Sequence, residues 1–235
     1  NNNTRKCKII FATQSGTSQE VAERLSMDVY GQSGVATSVL DIEQYDFKMM
    51  LPRERCVVFV VSTQGHGDVP DTMRDFWNFL LIRSLPTNAL AGLNFAVLGL
   101  GDSSYTTYNF ASKKLTQRLL SLGAKQMVRR GDADYQHDLG IDYEVERWTK
   151  ELTDKLIDMY PVPADFKPLD KTVLQPAKYK LVYLNVPDQV SKMLTMVATT
   201  QYQYGTLVKN TRITGADWTQ DVRHLEIDIS TTSLE

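Results

Sequence analysis

Only two cysteines, Cys7 and Cys56, occur in the 235 residues. Both sit in strand-like apolar runs, which points to reduced core thiols rather than a disulfide framework. Neither has a metal-ligand partner close in sequence, and the three histidines are far apart, so no metal site is expected. Charge of one sign is also missing: the formal net charge is -2, whereas a general nucleic-acid binder carries a basic face. No apolar run approaches the ~20 residues needed to span a bilayer. The opening NNNTRKCKII holds no long apolar segment of the secretory kind. A soluble cytoplasmic protein with no nucleic-acid and no membrane partner is the expectation.

One absence is local. The stretch KIIFATQSGTSQEVA runs from an apolar strand-like segment through a hydroxyl-rich turn into helix-like spacing, yet has no lysine or arginine from Ala12 to Ala22. A strand, a polar turn and a helix start make a seat for phosphate, because free amides and the helix dipole favour an anion. A plain helix cap is the simpler alternative for such a turn taken alone. The P-loop pattern demands a second glycine followed by lysine, and both are absent, which argues against a nucleotide triphosphatase.

What is present is alternation. Candidate strands fall at 7–12, 36–41, 56–62, 94–99 and 126–129, with candidate helices at 17–30, 72–82, 109–122 and 143–160. CVVFVVS is continuously apolar, as a strand covered on both faces should be. In the helix at 109–122, Ala111, Leu115, Leu119 and Leu122 share one face, while Lys113, Lys114, Gln117 and Arg118 take the polar one. Five strands interleaved with helices imply an α/β fold with a doubly wound parallel sheet and a ligand outside the strands' C-terminal ends.

Three loops should therefore gather at one edge. The first is TQSGTS. The second, STQGHGDVPD at 62–71, carries Gly65 and Gly67. The third, GLGDSSYTTYN at 99–109, nearly imitates a dinucleotide fingerprint, but Ser104 stands where the third glycine belongs. A mononucleotide with a terminal phosphate and a flat polar ring, FMN, satisfies all three.

These loops, with the stretch MRDFWNFLLIRSLPTNALAGLNFAVLGLGDSSYTTYNFASKKLTQRLLSLGA, resemble the FMN domain of the diflavin reductases, and most of all the members that supply electrons to cytosolic iron–sulfur protein assembly. The resemblance implies a flavodoxin-like domain over 6–160 with strand order 2-1-3-4-5. A linker would follow at 161–176. The β-rich segment at 177–235, with QDVRHLEIDIS, resembles the incomplete start of an FAD-binding domain.

The resemblance places the FMN phosphate on Thr13, Gln14, Ser15, Gly16, Thr17 and Ser18. Ser62, Thr63, Gln64 and Gly65 would line one side of the ring. The other side would be formed by Leu100, Gly101, Asp102, Ser103, Ser104, Tyr105, Thr106, Thr107, Tyr108 and Asn109, with Tyr105 stacked on it. Asp134 and Tyr135 occupy the place of the family's acidic pair. Gly65 matches the position where a peptide carbonyl turns toward the flavin on one-electron reduction, and Gln64 replaces a second stacking aromatic. No side chain takes a catalytic role; the redox chemistry is the cofactor's. The complete enzyme would use FAD and NADPH and pass electrons to an iron–sulfur acceptor protein. The acids between 131 and 146 fit either a solvated loop or a docking surface for that acceptor. A free-standing flavodoxin, an FMN-dependent quinone reductase or a non-enzymatic flavodoxin-like binding module are the alternatives.

Overall fold

A computed structural model describes residues 5–170, 205–215, 217 and 221–230. By internal contacts the chain divides into two units, at Val173 and Leu174.

The first unit is a parallel sheet wrapped by helices. Its strands are β1 (Lys6–Ala12), β2 (Ala36–Asp41), β3 (Cys56–Ser62), β4 (Asn94–Gly101), β5 (Lys125–Gln126) and β6 (Gly131–Asp134). The order is β2-β1-β3-β4-β5, with β6 also paired to β4, and every pairing is parallel. The helices are α1 (Thr17–Ser33), a single turn α2 (Phe47–Met50), α3 (Arg74–Leu80), α4 (Phe110–Ser121) and α5 (Asp142–Met159).

The strand period of two splits the apolar side chains between two cores. Cys56, Val58 and Val60 of β3 join Val21, Leu25 and Val29 of α1 and Trp148, Leu152 and Leu156 of α5. Val57, Phe59 and Val61 turn the other way, onto Phe76 and Leu80 of α3 and Leu115 and Leu119 of α4. Each such side chain contributes roughly 1.5–3 kcal/mol by leaving water.

The expected fifth strand at 126–129 is interrupted instead of continuous. Two short pieces, β5 and β6, both run along β4. The break has a physical cause. The buried indole of Trp148 donates to the Arg129 carbonyl at 2.8 Å, taking that group out of the ladder. Gly131 then passes so near the indole that a Cβ there would lie 2.9 Å from Trp148 Cδ1.

Of the segment expected to be a linker, 161–170 is described. It does not simply extend: the Leu169 amide donates to the Gly31 carbonyl at 2.7 Å. Gln32 Nε2 donates back to the Leu169 carbonyl at 2.8 Å, and the Phe166 ring meets Tyr30 edge-on. The chain past α5 is thus held on the end of α1.

In the second unit, β7 (Thr206–Arg212) and β8 (Arg223–Asp228) form an antiparallel ribbon with a register shift between Leu207 and Lys209. Every residue of both strands is exposed. The first part of the β-rich segment expected at 177–235, which includes the apolar stretch KYKLVYLNV, lies outside the described residues.

Candidate functional site

Strands β1, β3, β4 and β6 are parallel, so their following loops emerge at one edge of the sheet, beside the point where the order reverses. The loops are stitched together by backbone groups. The Thr63 amide donates to the Leu100 carbonyl at 3.1 Å, and the Tyr135 amide to the Gly101 carbonyl at 2.9 Å. Ser62 Oγ reaches the Ala12 carbonyl, and Thr72 Oγ1 the Thr13 carbonyl, each at 3.4 Å.

They enclose a cavity of about 350 Å³. Its wall is formed by Gln14, Ser15 and Thr17 from the first loop and Ser62, Thr63, Gln64 and Gly65 from the second. Leu100, Gly101, Asp102, Tyr105, Thr107, Tyr108 and Asn109 come from the third, and Tyr135 from the segment after β6. The remaining expected residues, Thr13, Gly16, Ser18, Ser103, Ser104, Thr106 and Asp134, do not line it. Thr13 shapes the turn, its Oγ1 accepting from the Gly16 amide at 2.9 Å. Ser18 is fully buried in the first turn of α1.

Asp134 acts on the loops instead of facing the cavity. Its Oδ1 accepts from the Ser103 amide at 2.9 Å and from the Gln136 amide at 3.0 Å. Asp102 mirrors it, accepting from the Ser104 amide, the Ser104 hydroxyl and Gln136 Nε2. Hydrogen bonds from the Ser104 hydroxyl and amide hold the Asp102 carboxyl below the usual carboxylate range. Partial desolvation of Asp134 opposes the same shift, but the bonds from Ser103 and Gln136 prevail and lower it too. Tyr108, half buried and near Asp134 and Asp132, is pushed up to about 12. Its hydroxyl donates to the Asp132 carbonyl at 2.6 Å.

Asn109 is the one non-glycine residue with positive φ among the described residues, at 54°. It starts α4, is fully buried, and donates through Nδ2 to the Ala133 carbonyl at 3.3 Å. A left-handed asparagine inside a protein stores strain of order 1 kcal/mol, and strain of this kind gathers at ligand sites.

The loops around the cavity carry hydrogen-bonding atoms suited to a polar ligand. Among the described residues five buried side-chain polar atoms lack a hydrogen-bond partner, and four of them, on Ser18, Thr63, Gln64 and Asn109, belong to these loops. Buried polar atoms are normally paired, so such a concentration marks groups awaiting a partner. Two exposed tyrosines, Tyr105 and Tyr135, stand at the rim. A larger groove of about 850 Å³ runs between α1 and α5. It has no converging loops and none of these unpaired atoms, so volume does not make it the site.

Sequence reasoning missed how α4 serves this edge. Lys113 Nζ donates to the Tyr108 carbonyl at 2.7 Å and Lys114 Nζ to the Gly67 carbonyl at 2.9 Å. Both had only a place on a polar helix face, and for Lys114 no local signal names a carbonyl 47 residues away.

A doubly wound sheet whose three post-strand loops surround a polar, aromatic-rimmed cavity defines a mononucleotide-binding α/β domain. The flavodoxin family model matches residues 9–148, and the chain belongs to the flavodoxin family. A cysteine-to-alanine mutant of flavodoxin from Pseudomonas aeruginosa superimposes with a TM-score of 0.55 at 25% identity, covering 64% of this chain and 98% of that one. Flavodoxin 1 of Bacillus cereus gives a TM-score of 0.54 at 24% identity, covering 65% and 97%. Over nearly its whole length the chain is similar to proteins named NADPH-dependent diflavin oxidoreductase 1. The Dictyostelium discoideum protein is 52% identical over 227 residues, 96% of this chain and 35% of that protein. The Danio rerio protein is 38% identical over 234 residues, 97% of this chain and 39% of that protein. The chain thus spans little more than a third of the length of these relatives. The fold's cofactor is FMN, and the unpaired buried atoms and rim tyrosines fit it.

Proposed function

We propose that this chain is the FMN-binding, electron-transferring part of an NADPH-dependent diflavin oxidoreductase. The observation that carries the proposal is the convergence of three loops on one cavity whose buried polar atoms on Thr63, Gln64 and Asn109 lack partners. In the longer protein NADPH is the electron source and FAD the first carrier, and this domain hands electrons singly to a protein acceptor. An iron–sulfur protein of cytosolic cluster assembly is the acceptor the sequence resemblance favours. The segment 177–235 is the start of the FAD-binding part, after a linker at 161–176.

Bound FMN would supply reversible electron storage; the chain supplies everything around it. Gln14, Ser15 and Thr17, with the free amides starting α1, would hold the phosphate. No cation is required there, because a phosphate that is held but never transferred develops no new charge. Thr63, Gln64 and Asn109 would supply hydrogen-bonding partners to the polar part of the ring, and Tyr105 and Tyr135 would shield it from water at the rim. The exposed rim leaves an edge open to a partner. Its acidic charge is smaller than composition suggests, since Asp132, Asp142 and Glu144 pair with Arg130, Arg24 and Arg129. Arg129, bonded to Glu144 and Glu151, is held firmly protonated.

The test is direct. Purified protein should be yellow, release FMN on denaturation, and rebind it with quenching of flavin fluorescence. A colourless protein that refuses added FMN overturns the proposal. Reconstitution with the FAD- and NADPH-binding remainder, followed by reduction of a candidate iron–sulfur protein, tests the acceptor.

A further inference from the structure

The loop at 62–71 divides into a fixed base and a free tip. Gln64 and Asp68 exchange backbone hydrogen bonds at 3.0 and 2.9 Å, and the Gly67 amide also donates to the Gln64 carbonyl at 3.1 Å. Gly67, with φ of 93°, is buried against the start of α4. A Cβ there would lie 2.8 Å from the Thr107 Cβ and 3.1 Å from the Phe110 Cβ. The tip, Gly65 and His66, is exposed, and a Cβ on Gly65 would meet nothing within 4 Å.

Space lies on both sides of that tip. Gly65 and Gln64 line the ring cavity of about 350 Å³ and also a second hollow of about 360 Å³ behind the loop. Trp77, Arg74 and Lys114 border the rear hollow. A wall with room before and behind it moves unless something holds its base. Ser62 and Thr63 tie the start of the loop to the Ala12 and Leu100 carbonyls, and at its base the Lys114 ammonium reaches in from outside, donating to the Gly67 carbonyl at 2.9 Å in a partly buried bond. Lys114 is anchored on α4, which packs on the sheet through Leu115 and Leu119, so the loop is referred to a rigid element. Hydrogen bonds from a charged donor are about twice as strong as neutral ones.

We infer that Lys114 is a positioning residue: through the Gly67 carbonyl it fixes the base of the 62–71 loop, confining motion to the Gly65–His66 tip and presetting the wall that faces the flavin ring. The inference rests on the proposed FMN site, but the tether itself does not require FMN. Its physical effect is preorganisation: a loop already held loses less entropy when the ring arrives and when the tip turns against it.

Amide hydrogen exchange in the FMN-free chain tests the tether by itself. Lys114→Met should speed exchange of the Gly67 and Asp68 amides about tenfold, the scale of one lost charge-assisted bond, with β3 amides unchanged. Lys114→Arg should restore slow exchange, and Lys114→Gln should be fast like Lys114→Met. Circular dichroism verifies folding, and Lys114→Gln, which keeps part of the stem, decides if Lys114→Met does not fold. In FMN-loaded protein, Lys114→Met should narrow the separation between the two one-electron midpoint potentials, while Lys114→Arg keeps it. Exchange within about twofold of the unaltered chain in a folded variant overturns the inference, as does Lys114→Arg behaving like Lys114→Met. Failure to bind any FMN overturns the proposed function instead, and the exchange result still decides the tether.

Discussion

Strand β3 and the β7–β8 ribbon are both read from the sequence as β structure, yet they differ in almost every physical respect. Six of the seven residues of β3 are buried, shared between two cores. In β7 and β8 every residue is exposed, and Leu207, Val208, Leu225 and Ile227 are each more than half accessible. A two-stranded ribbon without a covering layer is marginal in water, whereas a parallel strand between helix layers gains from both faces. Strand propensity therefore says where a chain extends; covering layers decide whether that extension stabilises anything.

The most sensitive test of this contrast is in the two sets of buried and exposed side chains. Trp148→Ala, which empties the core behind β4 and β6, should cost about 3–5 kcal/mol in urea unfolding and release bound flavin. Ile227→Ala in the ribbon should stay within about 0.5 kcal/mol. Equal effects would erase the contrast. A chain ending at Asp170 should keep the urea midpoint and the FMN affinity of the whole, measured by circular dichroism and fluorescence quenching. A large loss would mean that the ribbon unit supports the flavin unit after all.

The next effect is confined to the loop edge. Thr13→Ala with Thr17→Ala removes the hydroxyl that shapes the first turn and one that lines the cavity, each worth about 1 kcal/mol, so FMN affinity should fall on the order of tenfold or more with the unfolding midpoint little changed. Unchanged affinity would show that this turn is only a helix cap. The smallest effect is in pH. Asp102 and Asp134 are lowered in the folded state, so their support of the loops is present above the ordinary carboxylate range. It is lost as pH falls through their lowered values. FMN should be released in this acidic window before far-UV circular dichroism changes, and Asp102→Asn with Asp134→Asn should remove that separate step. The raised Tyr108 acts oppositely: its contribution is present below the ordinary tyrosine value and fades as pH rises toward about 12. Tyr108→Phe should flatten the alkaline limb of the FMN-binding profile.

Much of the site is legible in the chain because its parts are local. KIIFATQSGTS, VVSTQGHGDVP and LGLGDSSYTTYN each hold a strand and its following loop in consecutive residues, and parallel connection alone brings them together. What failed to read was non-local. The split of the fifth strand depends on an indole 19 residues away taking the Arg129 carbonyl. The docking of Leu169 on Gly31 and Gln32 depends on where α1 and α5 end relative to one another. Asp134 is a loop clamp because Ser103 and Gln136 present their amides to it.

The alternating order of elements, the two-faced burial of β3 and the meeting of three loops at one edge follow from amino-acid order alone, because periodicity and parallel crossover are properties of neighbours along the chain. Folding in three dimensions settled the rest: which hydroxyls face the cavity and which brace it, and that a lysine of α4 grips the loop beyond β3. Those outcomes turn on distances of about 3 Å between groups far apart in sequence, and hydrogen bonds respond to distance and direction, not to pattern.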